Sequence, residues 1–156
     1  MSNPIDFMKE AFSQAKIAAS QGEVPVGAVI VSKGRIIASA YNKREQHQIA
    51  THHAELLAIE AANQALCSWR LIDCELYVTL EPCLMCAGAI LGARVKKVYF
   101  SCRDPKAGAL TSLYSVHDDT RLNHRFAIDE GLLATESSAL LKDFFRARRL
   151  AKDKPH

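Results

Sequence analysis

The chain has 156 residues, 49% of them hydrophobic and 24% charged, with a formal net charge of +3 and a pI near 8.6. That composition fits one globular domain over residues 1–156, large enough to bury roughly 70% of the surface its unfolded form exposes. It excludes a disordered or low-complexity chain; no apolar run approaches the roughly 18 residues of a membrane span, and the N-terminus lacks the basic-then-apolar order of a secretory signal.

Asn3-Pro4 reads as an N-cap with proline at the first helical position and Asp6 in the first turn. Ile5, Met8, Phe12 and Ala15 then give a helical stripe, which Gly22 ends. Residues 24–31 form a β-branched apolar run, interrupted by Pro25 and Gly27, that suits a buried strand. A turn at 32–35 leads to a second strand at 36–41, and the two are expected to pair as an antiparallel hairpin. Residues 42–51 are polar and irregular. Ala54, Leu57, Ala58, Ala61, Ala62 and Ala65 mark a second helix with Thr51 as its cap, which places His53 and Glu55 in its first turn. A short apolar strand at 76–80, a helix from Pro82 to Gly92 and a strand at 95–100 compose a βαβ unit whose strands should be parallel. A short helix is expected at 110–116 and a weak last strand at 125–128. A final helix over about 137–152 should turn Leu140, Leu141, Phe144 and Phe145 inward. The sum is an α/β domain of about five strands with helices on both faces.

Cys83 and Cys86 stand three apart at the start of an expected helix, where positions i and i+3 share a face. The N-terminus of a helix carries roughly half a positive charge, which favours thiolate over thiol. His53, at the start of another helix, adds an imidazole suited to zinc. Three protein donors leave one tetrahedral corner for water, as catalytic zinc sites do. Glu55, two residues beyond His53, would face that corner without binding and carry protons. Two other readings stand beside this one. A C-x-x-C pair alone also serves redox chemistry, and Cys102 or His47 as a fourth ligand would close a structural zinc site. His52 lacks the two-residue spacing to Glu55, and adjacent helical side chains diverge by about 100°, so it reads as a solvated or supporting residue. Cys67, Cys74 and Cys102 read as small hydrophobes. Five cysteines, an odd number, with no secretory signal argue for a reducing, cytoplasmic setting.

The pattern His53-Ala54-Glu55 followed by Pro82-Cys83-Leu84-Met85-Cys86 is the signature of the zinc nucleoside and base deaminases. The chain resembles that superfamily over nearly its full length. More narrowly, it resembles the bacterial tRNA-specific adenosine deaminases. The stretches that carry the closer likeness run from Glu23 to Val29, from Leu71 to Asp73 and from Leu76 to Cys83. Met85-Cys86-Ala87-Gly88-Ala89, Asn123-His124-Arg125 and Asp143-Phe144-Phe145-Arg146 add to it. The resemblance implies a three-layer α/β/α cytidine-deaminase-like fold with a five-stranded mixed sheet, in a homodimer. It implies hydrolytic conversion of the wobble adenosine in a tRNA anticodon stem-loop to inosine, with release of ammonia. By motif match, His53, Cys83 and Cys86 would hold one zinc per subunit and Glu55 would shuttle protons. Asn42, Ala54, Val26, Leu80, Arg103, Asp104, Phe145, Arg146 and Arg149 would bind substrate, the backbone at Ala54 and Cys83 helping to place the base. A deaminase of free guanine or cytosine, and a non-catalytic zinc-stabilised subunit, are the alternatives. Cys102 and Pro105 depart from the family pattern in the loop expected near nucleic acid, as does His52 beside the first ligand.

An anticodon loop already splays its bases, which lowers the cost of taking one out. Lys142, Arg146, Arg148, Arg149, Lys152 and Lys154 crowd the last segment with Phe144 and Phe145 among them, and such a segment would give salt-dependent backbone contacts. The same residues also suit a helix C-terminus and solubility, so the charge alone does not decide.

Overall fold

A computed structural model describes residues 3–152. Helix α1 (Pro4–Ser20) starts as its sequence dictates: the Asn3 side chain accepts from the Asp6 N–H, and the Asp6 carboxylate accepts from the Asn3 N–H. Pro4 occupies the position where a missing N–H removes no helical bond. Strand β1 (Gly27–Ser32) begins three residues later than the apolar run suggests. Pro25 has no N–H to give a ladder, and the Val26 N–H bonds back to the Val24 carbonyl at 2.8 Å, which turns the chain before the sheet begins.

The sheet continues with β2 (Arg35–Tyr41), β3 (Cys74–Leu80), β4 (Lys97–Cys102) and β5 (Ala127–Glu130), in the order β2-β1-β3-β4-β5. β1 pairs antiparallel with β2 and β3, while β3–β4 and β4–β5 are parallel. The expected hairpin and parallel βαβ pair are both present, in the expected five-stranded mixed sheet. The last two strands each lie two residues further along than the apolar runs indicate. Because β1 alone is reversed, the start of β1 and the ends of β2, β3 and β4 meet at one edge. Gly27 pairs with Tyr41, and Leu80 with Cys102.

Alternation along the strands divides the core between two faces. Ala28, Ile30, Leu76, Val78, Val98 and Phe100 meet α3 (Ala54–Leu66) and α4 (Leu84–Ala93) through Ala58, Ala62, Ala87 and Ile90. Val29, Val31, Tyr77 and Tyr99 meet Phe7, Met8 and Ala11 of α1, with Tyr77 and Tyr99 stacked at 4.3 Å. Helix α5 (Ala134–Lys152) packs against α1 and the same side of the sheet. These are the three layers that the resemblance implies.

β1 and α1 touch so closely that a Cβ at Gly27 would collide with the backbone of Ala11 and Ala15 and the Gln14 side chain. Gly27→Ala should therefore destabilise the protein by about 1–3 kcal/mol, since neither backbone can retreat without moving a buried layer. Urea unfolding should show a lower midpoint at unchanged slope.

Four further expectations fail, two of them because a distant carboxylate takes the backbone N–H groups. The polar stretch after β2 contains a short helix, α2 (Arg44–His47), whose Glu45 and Gln46 N–H groups donate to the Glu23 carboxylate at 3.0 and 2.6 Å. A helix at 110–116 does not form; the chain turns there and makes a 3₁₀ turn at Val116–Asp118. The Leu110, Thr111 and Ser112 N–H groups all donate to Glu81 instead of to one another's carbonyls. Helix α5 starts at Ala134, a turn earlier than residue 137, because the Ser137 N–H bonds Leu133 O. Phe145 faces solvent rather than the core, at 40% exposure, while Phe144 is half-buried one position back. Among the described residues no helix is long and apolar enough to cross a membrane.

Candidate active site

His53 and Cys83 occupy equivalent places: each is the N-cap of its helix, α3 and α4, in extended backbone conformation. Thr51 is therefore not the cap of α3, and His53 precedes its first turn. Neither side chain caps its own helix, so both are free to point across the gap between the two helix starts. Cys86, one turn into α4, is fully buried. His53 Nδ1 lies 3.7 Å from Cys83 Sγ and 3.5 Å from Cys86 Sγ, and the three donor atoms fall within 4.8 Å of one another. Metal–nitrogen and metal–sulfur bonds of about 2.0 and 2.3 Å at a tetrahedral angle put nitrogen and sulfur roughly 3.6 Å apart, so this donor set fits zinc.

Among the described residues no fourth His, Cys, Asp or Glu joins the cluster. Cys102 Sγ bonds Thr79 O at 3.5 Å, and His47 Nδ1 contacts His52 Nδ1 at 2.7 Å, so neither closes the set. That contact also places His52 among exposed neighbours. The five cysteines are free thiols. Cys83 is drawn down to about 4, chiefly by the hydrogen bond with Cys86 and, against burial, by His53 beside it; Cys86 is pushed up by the same pairing. The His53 imidazole is raised, first by its hydrogen bond with Cys83.

Glu55, in the first turn of α3, is 4% exposed. Burial pushes its carboxyl above the usual carboxylate range, partly offset by its own backbone N–H and by His53. It stands beside Cys86 without being one of the three clustered donors.

A cleft of about 340 Å³ opens above this group. That is the small end of the range for a ligand pocket of roughly 300–1,000 Å³ and suits one base or nucleoside. His53, Ala54, Glu55 and Cys83 form its floor, and Val26, Asn42, Leu80 and Asp104 stand around it. The sheet explains the convergence: Val26 precedes β1, Asn42 follows β2, Leu80 ends β3 and Asp104 follows β4, all at the same edge. Asn42 is buried and fixed, its Nδ2 donating to Val24 O at 3.2 Å and its Oδ1 accepting from the Arg44 N–H at 3.1 Å.

Four residues expected at the substrate do not line the cleft. Arg103 forms a two-pronged exposed pair with Glu130, at 2.9 and 3.1 Å. Phe145, Arg146 and Arg149 are exposed on α5 and do not line the cleft, while Phe144 is half-buried and Arg148, also exposed, stands one turn beyond it on the same face. Arg148 reaches the cleft and stacks on Phe144, its position i−4, at 5.1 Å. Glu23, Arg44 and Glu81 also line the cleft, and no local pattern singles them out. Lys154 lies outside the described residues.

The chain matches the MafB19-like deaminase family model over residues 2–149. It is 48% identical over 146 residues to a Bacillus subtilis protein named tRNA-specific adenosine deaminase, covering 94% of this chain and 91% of that one. A solved structure from a study of A-to-I editing by tRNA:A34 deaminases at the wobble position superposes with a TM-score of 0.85 at 40% identity, over 87% of this chain and 99% of that one. A guanine deaminase from Nitrosomonas europaea, at 21% identity and a TM-score of 0.81 over 92% of this chain and 85% of that one, shares the fold. The chain belongs to the MafB19-like deaminase family and, within it, stands with the tRNA-specific adenosine deaminases.

Proposed function

We propose that the protein converts the wobble adenosine of a tRNA anticodon stem-loop to inosine, with His53, Cys83 and Cys86 holding one zinc ion and Glu55 moving the protons. The carrying observation is a buried, protonatable carboxyl beside a three-donor His/Cys/Cys group on the floor of a nucleoside-sized cleft. A zinc ion held by His53, Cys83 and Cys86 would supply a Lewis acid that eases loss of a proton from the attacking water. Glu55 takes a proton from the attacking water as its oxygen bonds to C6 of the purine, and gives that proton to the ring nitrogen N1. It then takes the hydroxyl proton and gives it to the departing amino group. The C6–N bond breaks, and the products are inosine and ammonia. Desolvation favours this carboxyl's neutral form, so it can hold a proton between the two transfers.

The walls supply placement. Asn42, Val26, Leu80 and Asp104 surround the base, and the fixed Asn42 amide offers its remaining donor and acceptor to it. Arg44 and Arg148 put cationic groups at the cleft, where an RNA strand carries phosphates. Two copies working as a dimer, in the cytoplasm, belong to the same reading. Leu84, Leu113 and Tyr114, each more than half exposed, give apolar surface for a second copy.

Incubating the zinc-loaded protein with the anticodon stem-loop of an arginine tRNA should yield inosine, detected after nuclease digestion. Release of ammonia from free guanine or cytosine, with no inosine from the stem-loop, would overturn the substrate assignment.

A further inference from the structure

We infer that Glu81 is a positioning residue: its buried carboxylate moulds residues 104–112 into the cleft wall that grips the nucleic acid. This rests on the reading of the cleft as the site for an RNA-borne nucleoside.

Glu81 directly follows β3, two residues before Cys83, and is 2% exposed. One oxygen accepts the Leu110, Thr111 and Ser112 N–H groups at 3.0, 2.8 and 3.0 Å. The other accepts the Asp104 N–H at 3.0 Å and the Ser112 hydroxyl. Successive N–H groups aimed at one oxygen make an anion-binding nest, here filled by the chain itself. With both oxygens fully engaged, Glu81 is not available to carry a proton for the reaction.

The bonds reach both ends of one loop. Asp104 and Ala107 line the cleft, and Asp104 further shapes the loop by accepting the Lys106 and Ala107 N–H groups. The loop is also stitched to the segment that carries a metal donor: Gly108 pairs with Cys83, and the Ala109 N–H donates to Pro82 O at 2.9 Å. Gly108 passes directly over the Glu81 carboxylate, where any Cβ would collide with it. A wall so held contacts substrate equally before and during the chemistry, so its loss should raise KM and leave kcat.

Glu81→Gln keeps the volume but turns an amide N–H₂ toward one set of donors. In the zinc-loaded variant, hydrogen exchange should quicken at the amides of 104 and 110–112 and stay unchanged in β1 and β3. KM for the stem-loop should rise about tenfold, with kcat within about twofold and zinc content retained. Ser112→Ala, which removes one bond only, should shift the same amides and KM in the same direction by about threefold; it decides the matter if the Gln variant does not fold. Unchanged exchange at 104–112, or a fall in kcat at constant KM, would overturn the positioning role. If wild type makes no inosine, the proposed substrate fails, while the exchange arm still judges the hold of Glu81 on its loop.

Discussion

Glu55→Ala should keep its zinc, its circular dichroism and its melting behaviour, and lose about 10²–10⁴-fold in inosine formation. The size follows from position. Glu55 is almost wholly buried on the cleft floor, and the two other buried carboxylates of the cleft, Glu81 and Glu23, are engaged elsewhere. Glu81 is committed to the 104–112 loop: burial alone would raise its pKa, but the Ser112 hydroxyl and the N–H groups of Thr111, Ser112 and Asp104 outweigh that and hold it at about 2. Glu23 is tied to the start of α2. Deleting a carboxyl that burial already disfavours should cost the fold little, so stability and turnover separate in this variant. Metal analysis beside single-turnover inosine assays reads both. No turnover in either protein, with zinc and fold alike in both, would instead mark a non-catalytic zinc-stabilised subunit.

Cys83→Ala should act on metal and fold together. It removes one of three donors and with it the link between the starts of α3 and α4. The variant should lose its zinc on dialysis, and inosine formation with it. A ligand present at about 100 times its Kd stabilises by about 2.7 kcal/mol, which for a chain of this size is a melting shift of roughly 5–10 °C. Chelation of wild type should lower its melting temperature toward that of the variant, whereas the variant should not respond to the chelator. Full zinc content in Cys83→Ala would remove Cys83 from the donor set.

The contrast between these residues and those the sequence concealed is physical. His53, 30 residues from Cys83, is joined to it only by the motif that carries the resemblance, whereas the start of α1 and the Cys83–Cys86 pair are written in short-range spacing. Local pattern suffices there because a cap or a ligand pair acts within one helical turn. Glu23 and Glu81 are different. Each carboxylate takes N–H groups more than 20 residues away, and in doing so creates α2 or cancels the helix expected at 110–116. Nothing in the periodicity of either stretch carries that information, since its partner lies elsewhere in the chain. The C-terminal helix shows a third case. Its basic residues are visible in the sequence, but which of them reaches the cleft depends on how the helix packs on the rest of the chain, and Arg148 stands there in place of the expected Arg146 and Arg149.

Since four strands share a direction, three of them deliver their following segments to a single rim, while the donors and the proton carrier descend from two helices beneath. Recognition and chemistry are therefore encoded in separable stretches. Libraries confined to 42–45 and 103–107 sample new nucleotide preferences without touching the metal donors, Glu55 or the hydrophobic layers. Directed evolution of such a scaffold has a natural division of labour: retarget the rim, leave the floor.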